Sequence, residues 1–270
     1  MASQTKVREM IAKNNAKKGG LSDKIVPIIL AIISAISILT TIAILFTLLT
    51  ETITFFTRVP LSKFFLSGTW NPTGSSPEFG IWALIIGTLK ITVIATIVAV
   101  PIGLGAAIYL NEYASDRSRR IIKPILEILA GIPTIVFGFF ALTFVTPILR
   151  NLIPNLGEFN SISPGIVVGI MIVPMITSMS EDAMSSVPDK IREGAFGLGA
   201  TKFEVATKVV LPAATSGVVA SIVLGISRAI GETMIVSLAA GSSPTSSLSL
   251  TSSIQTMTGY IVEIATGDAA

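Results

Sequence analysis

Long apolar runs, nearly free of charged side chains, recur five times along the 270 residues and constrain the fold more than any other feature. About 20 apolar residues suffice to cross a bilayer, and in lipid such runs must form helices because the backbone has to satisfy its own hydrogen bonds. Only 13% of residues are charged and the mean hydropathy is +0.79, values too apolar for a soluble domain. The sequence therefore predicts an all-α membrane protein, a polytopic helical bundle. The predicted spans are residues 25–49, 81–110, 121–149, 162–184 and 213–240.

The remaining segments fit between and around these spans. Residues 1–24 are too long and too polar for a secretory signal and are expected to stay attached. Residues 50–80 form a loop, and residues 81–241 contain a membrane core interrupted by a polar loop at 188–212. The segment 242–270 begins with a run rich in Ser and Thr and continues with a short helix at 254–264, too brief to cross a membrane.

The basic residues predict the orientation. Cytoplasmic segments of membrane proteins carry an excess of Lys and Arg. Most bases fall on one side of the predicted spans, so we expect a multi-pass protein of the plasma (inner) membrane with a cytoplasmic amino terminus, a cytoplasmic loop 188–212 and an outward-facing segment 54–80. The bases on that side are Lys6, Arg8, Lys13, Lys17, Lys18, Lys24, Arg117, Arg119, Arg120, Lys123, Lys190, Arg192, Lys202 and Lys208, whereas the opposite side has Arg58, Lys63 and Arg150.

Several functions are disfavoured by what the sequence lacks. The chain has no cysteine and no histidine, which excludes disulfides, thiolate or imidazole catalysis and the usual zinc ligands. No glycine-rich phosphate loop of the Walker type occurs, so any ATP must be handled by a partner. The bases flank the spans without interleaved aromatics, which favours lipid headgroups over nucleic acid, and those between 117 and 123 resemble a topology anchor beside anionic lipid. We predict no enzyme activity, no metal and no cofactor.

The loop at 188–212 predicts two short amphipathic helices. Ala195 and Phe196 supply apolar contacts in the first helix and Phe203 in the second, while Gly199 lies between them, where a chain reversal favours a residue without a side chain. Charged and apolar residues together are suited to docking on another protein. An ordinary amphipathic helix on the membrane surface would show the same pattern. Spacing alone does not decide between the two.

A resemblance favours docking. The stretch "EGAFGLGATKFEVATKVVLPAA" resembles the EAA loop of ABC-importer permeases, in which E-A-A, three residues, G and nine residues precede I-x-L-P. Gly194 and Val209 depart from that pattern, as Gly for Ala and Val for Ile. The resemblance implies a type I permease fold and a coupling loop that fits a groove on the ATP-binding subunit. The positions that match the pattern, and would carry that role, are Glu193, Ala195, Gly199, Leu211 and Pro212.

Further stretches resemble the permeases of phosphate importers, most closely the PstC type. They are "WNP", "PIGLGAAIYLNEYA", "KPILEILAGIPTIVFGFFALTFVTP" and "RAIGETM". The resemblance implies phosphate as substrate, with a second related permease, two ATP-binding subunits and an external phosphate-binding protein as partners. Permeases for molybdate or sulfate, an ATP-independent secondary transporter and a non-transporting scaffold are the alternatives. These permeases usually have six spans, and the sequence leads us to expect five, with the usual sixth absent.

Two charged residues in the fifth predicted span suggest a substrate path. Arg228 and Glu232 lie four residues apart, which places them on one face of a continuous helix. A charge in hydrocarbon costs about 2.5–3.5 kcal/mol on insertion scales, whereas such a pair returns only about 0.2–0.5 kcal/mol when exposed. We therefore expect Arg228 to line an anion path and Glu232 to tune it, unless the two form a structural ion pair. Gly217, Ser221 and Gly225 continue this face as a strip for close helix approach.

Two further charged residues lie within or near the predicted spans. Lys90 falls either near mid-membrane or at the outer boundary, where it would extend to water, and the second position is favoured. Glu127 lies near the cytoplasmic end of the third span, where an interfacial position is favoured over an inward-facing one.

Overall fold

The computed structural model describes residues 21–267, with side chains from Ile25 onwards. Residues 1–20 and 268–270 lie outside the described part, and with them most bases of the predicted cytoplasmic segment 1–24. The chain divides into two compact units, the first ending at Leu61 and the second beginning at Ser62. In the first unit, helix α1 (Leu21–Arg58) forms an uninterrupted span that continues past the predicted end at residue 49.

The second unit holds the other spans. Helices α3 (Trp82–Ile108) and α7 (Ile162–Ser185) are the second and fourth spans and agree with the predicted ranges, with α3 continuing into a π-helical turn, Tyr109–Tyr113. The helices from Leu61 onwards, in chain order, are α2 (Leu61–Leu66), α3 (Trp82–Ile108), α4 (Asp116–Gly131), α5 (Thr134–Phe140), α6 (Thr146–Leu152), α7 (Ile162–Ser185), α8 (Asp189–Gly197), α9 (Lys202–Glu204), α10 (Leu211–Ala213), α11 (Thr215–Ile230), α12 (Met234–Ala239) and α13 (Met257–Thr266).

The core of the second unit lies between α3, α7 and α11. Helix α7 packs most extensively against α3 and then against α11, and Ile91, Ile172 and Ile176 are almost fully buried there. Without a hydrophobic driving force between helices in lipid, close backbone approach determines the packing. Gly103 of α3 provides such an approach, because a Cβ atom there would lie 2.9 Å from Ile176 Cγ2. The apolar residues facing away from these contacts are exposed, as a lipid-facing surface requires.

The third span begins later than predicted, so the predicted range 121–149 is wrong at its start. Residues 116–131 form the separate amphipathic helix α4, and the span runs over Thr134–Leu152 through α5, a π-helical turn (Ala141–Val145) and α6. The break follows from Pro133, which has no backbone N–H and disfavours a helical conformation at Ile132, whose φ and ψ are −67° and 128°. The prediction treated the two helices as one span because it used hydropathy alone.

The fifth span is bent and broken, which corrects its prediction as one helix over 213–240. A 77° bend at Ala214 separates Lys202–Ala213 from α11. Helix α11 ends at Ile230, and α12 begins at Met234 after a short non-helical stretch. Four helices are therefore long and apolar enough to cross a membrane, and a fifth is counted if the bent pair is one span, all within the described residues.

The polar segments form small folded structures. Trp70–Asn71 (β1) and Glu78–Phe79 (β2) pair as an antiparallel hairpin before α3. After α12 the chain folds back toward the core, because the Ile254 N–H donates to the Ala240 carbonyl and the Ser161 hydroxyl to the Leu250 carbonyl. The predicted short helix is confirmed as α13.

Candidate functional site

The loop 188–212 contains the predicted pair of short helices. Helix α8 ends at Gly197, and Gly199 adopts a φ of +84°, a left-handed conformation that glycine accepts without steric cost. The chain reverses there, and the second arm begins at α9 and continues through a π-helical turn (Val205–Val210) into α10. Gly199 is therefore the turn residue that the sequence predicts.

A capping box starts the second arm. Thr201 accepts from the Glu204 backbone N–H, and the Glu204 carboxylate accepts from the Thr201 N–H at 3.1 Å and from Lys208 at 3.1 Å. The Thr201 backbone N–H first, and then Lys208 and the Thr201 hydroxyl, lower the pKa of Glu204 from 4.5 to about 2. The carboxylate therefore carries its negative charge where it caps the second arm and pairs with Lys208.

The loop exposes apolar side chains at its tip. Leu198 is 91% exposed and Phe203 is 65% exposed. Val205 and Val210 of the same loop are instead buried in an apolar cluster with residues of α7 and α11. Beside them lies a concavity of about 400 Å³ lined by residues that include Ala195, Gly199 and Lys208. The buried face fixes the loop to the spans, and the opposite face is exposed in the part of the chain that the structure describes.

The predicted small-residue strip packs against α7. A Cβ atom on Gly217 would meet Ala183, and one on Gly225 would lie 2.9 Å from Ile176 Cγ1. Between these positions Ser221 shares a hydroxyl hydrogen bond of 2.7 Å with Ser180 of α7. The strip brings α11 and α7 together as predicted, and so determines where the carboxyl end of α11 lies.

Arg228, in the last turn of α11, reaches a cavity of about 240 Å³ between α4, α7 and α11. Its guanidinium Nη2 lies 3.9 Å from Met171 Sδ, and no carboxylate lies within ion-pair distance of it in the described part of the chain. Glu127 of α4 also lines this cavity. Helix α4, which was predicted to be the start of the third span, therefore brings a carboxylate to the cavity of Arg228. The other lining residues are Leu126, Ala130, Pro174, Met175, Ser178 and Met179.

Glu232 does not share a helical face with Arg228, which corrects the geometry inferred from their spacing. The helix that carries Arg228 ends at Ile230, and Glu232 lies in the break before α12. Its carboxylate is buried and accepts from the Ile235 N–H at 3.3 Å, so it caps the amino end of α12. Gly231, a poor helix former, precedes it at the break.

Lys90 does not extend to water, so that part of the favoured prediction for it is wrong. It is 8% exposed, and its ammonium donates to the carbonyls of Ser247 and Ser249 in the loop between α12 and α13. Two carbonyls replace the water that the ammonium would otherwise need. Lys90 therefore fastens that loop to the second span, which no local sequence pattern indicates because more than 150 residues separate the partners.

Three bases that the sequence analysis assigned only to membrane orientation bind other parts of the protein. Lys123 pairs with the buried Glu181 of α7 at 2.9 Å, Arg119 donates to the carbonyls of Leu110 and Asn111, and Arg192 bridges the loop 188–212 to two spans. Their sequence signal is only a charge near a helix end, which a lipid anchor also shows. Within residues 21–267 no three His, Cys, Asp or Glu residues cluster closely enough to hold a metal ion.

Comparison with known proteins identifies the family. Residues 99–267 match the family described as the binding-protein-dependent transport system inner membrane component. The chain belongs to this family. The matched region includes the loop 188–212, the small-residue strip on α11 and Arg228, and it excludes α1. The predicted membership in the ABC-importer permeases is confirmed, as is the multi-pass membrane architecture.

Named relatives of the chain agree with the predicted subclass. It is 38% identical over 180 residues to the probable ABC transporter permease protein YqgH of Bacillus subtilis, covering 66% of this chain and 58% of the relative. It is 37% identical over 200 residues to the phosphate transport system permease protein PstC of Haemophilus influenzae, covering 67% and 63%. The chain thus spans about three fifths of the length of these relatives.

The chain is also similar to a solved structure of the MetNI methionine ABC transporter in an inward-facing conformation. The sequence identity is 22% and the TM-score is 0.46, over 56% of this chain and 71% of the other.

Proposed function

We propose that the chain is the membrane-spanning permease subunit of an ATP-driven phosphate importer and is not itself an enzyme. The single observation that carries the proposal is Arg228, whose guanidinium reaches a cavity between three helices and has no paired carboxylate among the described residues. An unpaired guanidinium in a span is costly unless an anion or water visits it. A planar fork of donors matches the oxygens of a phosphate. The relatives named as phosphate transport permeases support that choice of anion.

The partners follow from what the chain lacks and from its exposed loop. ATP has no binding loop here, so two copies of an ATP-binding subunit would supply the energy, and an external phosphate-binding protein would deliver the substrate. A second, related permease would complete the path. The amino terminus and the loop 188–212 would face the cytoplasm, because the bases concentrate on that side.

The loop 188–212 would serve as the coupling element. Its exposed tip, with Leu198 and Phe203, would occupy a groove on the ATP-binding subunit, while its buried face moves with the spans. The family pattern assigns this role to Glu193, Ala195, Gly199, Leu211 and Pro212. Closure of the ATP-binding subunits on ATP would shift the loop, and the spans would open the path outward. Hydrolysis would then return them.

Arg228 and Glu232 would act at the path itself. Arg228 would bind the passing anion through charge-assisted hydrogen bonds, which are about twice as strong as neutral ones. Glu232 would tune the path by capping α12, because this cap fixes the break that ends α11 just after Arg228. Glu127, on another wall of the same cavity, would repel the anion and so favour its release.

Reconstitution tests the proposal. The full-length permease is assembled in proteoliposomes with the second permease, the ATP-binding subunits and the phosphate-binding protein. We expect ATP hydrolysis to rise when phosphate-loaded binding protein is added outside, and labelled phosphate to accumulate inside. Matched vesicles without ATP serve as the control, and uptake that is unchanged without ATP would contradict coupling. Uptake of molybdate or sulfate in place of phosphate would contradict the assigned substrate.

A further inference from the structure

Arg192 uses all of its donors within this chain. A guanidinium carries five N–H bonds, and each has an acceptor here. Nε donates to Glu112 at 3.3 Å, Nη1 to the Val187 carbonyl at 2.7 Å and to Asp189 at 2.9 Å, and Nη2 to the Met184 carbonyl at 2.7 Å and to Asn111 at 3.2 Å. The side chain is 14% exposed, so these contacts are largely shielded from water.

The acceptors belong to three different elements. Asn111 and Glu112 lie in the π-helical turn that ends the second span, and Met184 lies in the last turn of α7, the fourth span. Arg192 itself is on α8, the first helix of the loop 188–212. Carbonyls at the carboxyl end of a helix have no partner within the helix, and the negative end of the helix dipole there stabilises a nearby cation. One side chain therefore joins the loop to the ends of two spans.

The π-helical turn is held from its other side as well. Arg119 of α4 donates to the Leu110 carbonyl at 2.8 Å and to the Asn111 carbonyl at 3.0 Å. The Asn111 amide donates to Ser185 at the end of α7 at 2.8 Å. A π-helical turn has weaker internal hydrogen bonding than an α-helix and is often found at functional positions. The carbonyls of Leu110 and Asn111 and the side chains of Asn111 and Glu112 are nevertheless hydrogen-bonded to neighbouring elements, so we expect this part of the turn to resist local distortion.

We propose that Arg192 is a positioning residue that locks the loop 188–212 to the second and fourth spans, so that a displacement of the loop moves both spans together. The inference rests on the proposed function and adds the mechanical connection to it. Helix α7 passes directly from this joint to the cavity of Arg228, which its Met171, Met175 and Met179 help to line. Loss of the joint disconnects loop movement from the cavity while the exposed tip of the loop stays available.

The test compares Arg192→Gln with Arg120→Gln in the reconstituted complex. Arg120 is an exposed base on α4 without a partner among the described residues, and its substitution makes the same change in charge. We expect Arg192→Gln to lower phosphate uptake per ATP hydrolysed about tenfold, with ATP hydrolysis continuing and the complex assembled. Arg120→Gln is expected to keep the wild-type ratio. A merely structural role lowers uptake and hydrolysis together and leaves the ratio unchanged.

The outcomes separate the two proposals. If the wild type and Arg120→Gln take up no phosphate, the proposed function fails. If both transport and Arg192→Gln keeps the wild-type uptake per ATP, the role of Arg192 is overturned. If the complex with Arg192→Gln does not assemble, Glu112→Gln tests the role of Arg192 instead, because it removes only the ionic contact between Arg192 and Glu112. A lowered ratio for Glu112→Gln then supports the joint, and an unchanged ratio overturns it.

Discussion

Lys90 and Arg228 are both cations of apolar spans, but Lys90 is buried and Arg228 is exposed, and their partners differ. A cation at the centre of a membrane helix costs about 2.5–3.5 kcal/mol on insertion scales. Lys90 donates to two carbonyls, and hydrogen bonds to charged groups return about 1.5–3 kcal/mol each, which offsets that cost. Arg228 has one weak contact to a methionine sulfur, which does not. Its retention therefore needs a reason outside the stability of this chain.

Substitution of Arg228 is expected to reduce transport and leave the fold unchanged. Arg228→Lys keeps the charge but loses the planar fork, and the loss of one charge-assisted hydrogen bond, about 1.5–3 kcal/mol, corresponds to roughly 10- to 100-fold slower phosphate uptake. The measurement is the initial rate of labelled phosphate uptake at constant assembly. The neighbouring Ser227→Ala, which removes a hydroxyl bonded only within α11, serves as the control. Near-normal uptake by Arg228→Lys would instead favour a structural role.

Substitution of Lys90 is expected to loosen the loop that follows α12. In Lys90→Met the carbonyls of Ser247 and Ser249 lose their charged donor, which should cost about 1–3 kcal/mol of unfolding free energy. The measurements are the thermal unfolding midpoint in detergent and the rate of limited proteolysis in residues 242–253. The exposed Lys63→Met makes the same chemical change and should alter neither. Equal proteolysis rates in the two variants would show that Lys90 does not hold this loop.

The residues proposed to act in transport lie where the chain departs from regular helices. Pro133 ends α4, the stretch from Gly231 to Thr233 separates α11 from α12, and a left-handed glycine reverses the loop 188–212. Each departure places a side chain that a continuous helix would have directed elsewhere. Helix α4 brings Glu127 to the cavity of Arg228, and the second break directs Glu232 to the end of α12.

Two of the exposed glycines of the loop 188–212, Gly194 and Gly199, should respond oppositely to the same substitution. Gly199→Ala places a Cβ atom in a left-handed conformation, which costs about 1–2 kcal/mol. Gly194→Ala, within α8 and facing open space, should stabilise that helix by up to about 1 kcal/mol. Hydrogen exchange of amides in residues 189–213 measures both effects. Slower exchange in Gly199→Ala than in the wild type would contradict the assigned turn geometry.

At the scale of the whole second unit, small residues allow α7 to contact both α3 and α11. The close contacts at Gly103 and Gly225 both involve Ile176, so one α7 side chain fills the space beside two glycines. Interiors packed this tightly transmit displacement because they do not deform continuously. The same helix carries the Met184 carbonyl that Arg192 binds and the methionines around Arg228, and it therefore connects the two candidate sites.

This packing predicts opposite effects for two glycine substitutions in the spans. In Gly225→Ala the new methyl group meets Ile176 and should destabilise the protein by about 1–3 kcal/mol. In Gly105→Ala the methyl group meets nothing within 4 Å, and a gain of up to about 1 kcal/mol is expected from helix propensity. Thermal unfolding in detergent is the measurement. A more stable Gly225→Ala protein would mean that α7 and α11 are not in close contact there.

The sequence alone determined the class of fold, the approximate spans and the family. Runs of apolar residues must be helical in lipid whatever surrounds them, which is why helices α1, α3 and α7 and the short helix α13 were predictable. The loop 188–212 was predictable as well, because its glycine and its family pattern are local features. Local signals of this kind need no information about distant parts of the chain.

The tertiary structure alone decided which groups surround the charged side chains. Spacing suggested that Arg228 and Glu232 share a face, but the helix ends between them, and Arg228 instead faces a cavity with Glu127 from a helix about 100 residues earlier in sequence order. Lys90 and Arg192 likewise find partners on elements that no periodicity connects to them. The physical reason is that buried polar groups must find partners wherever the fold offers them, and a sequence pattern records only neighbours along the chain.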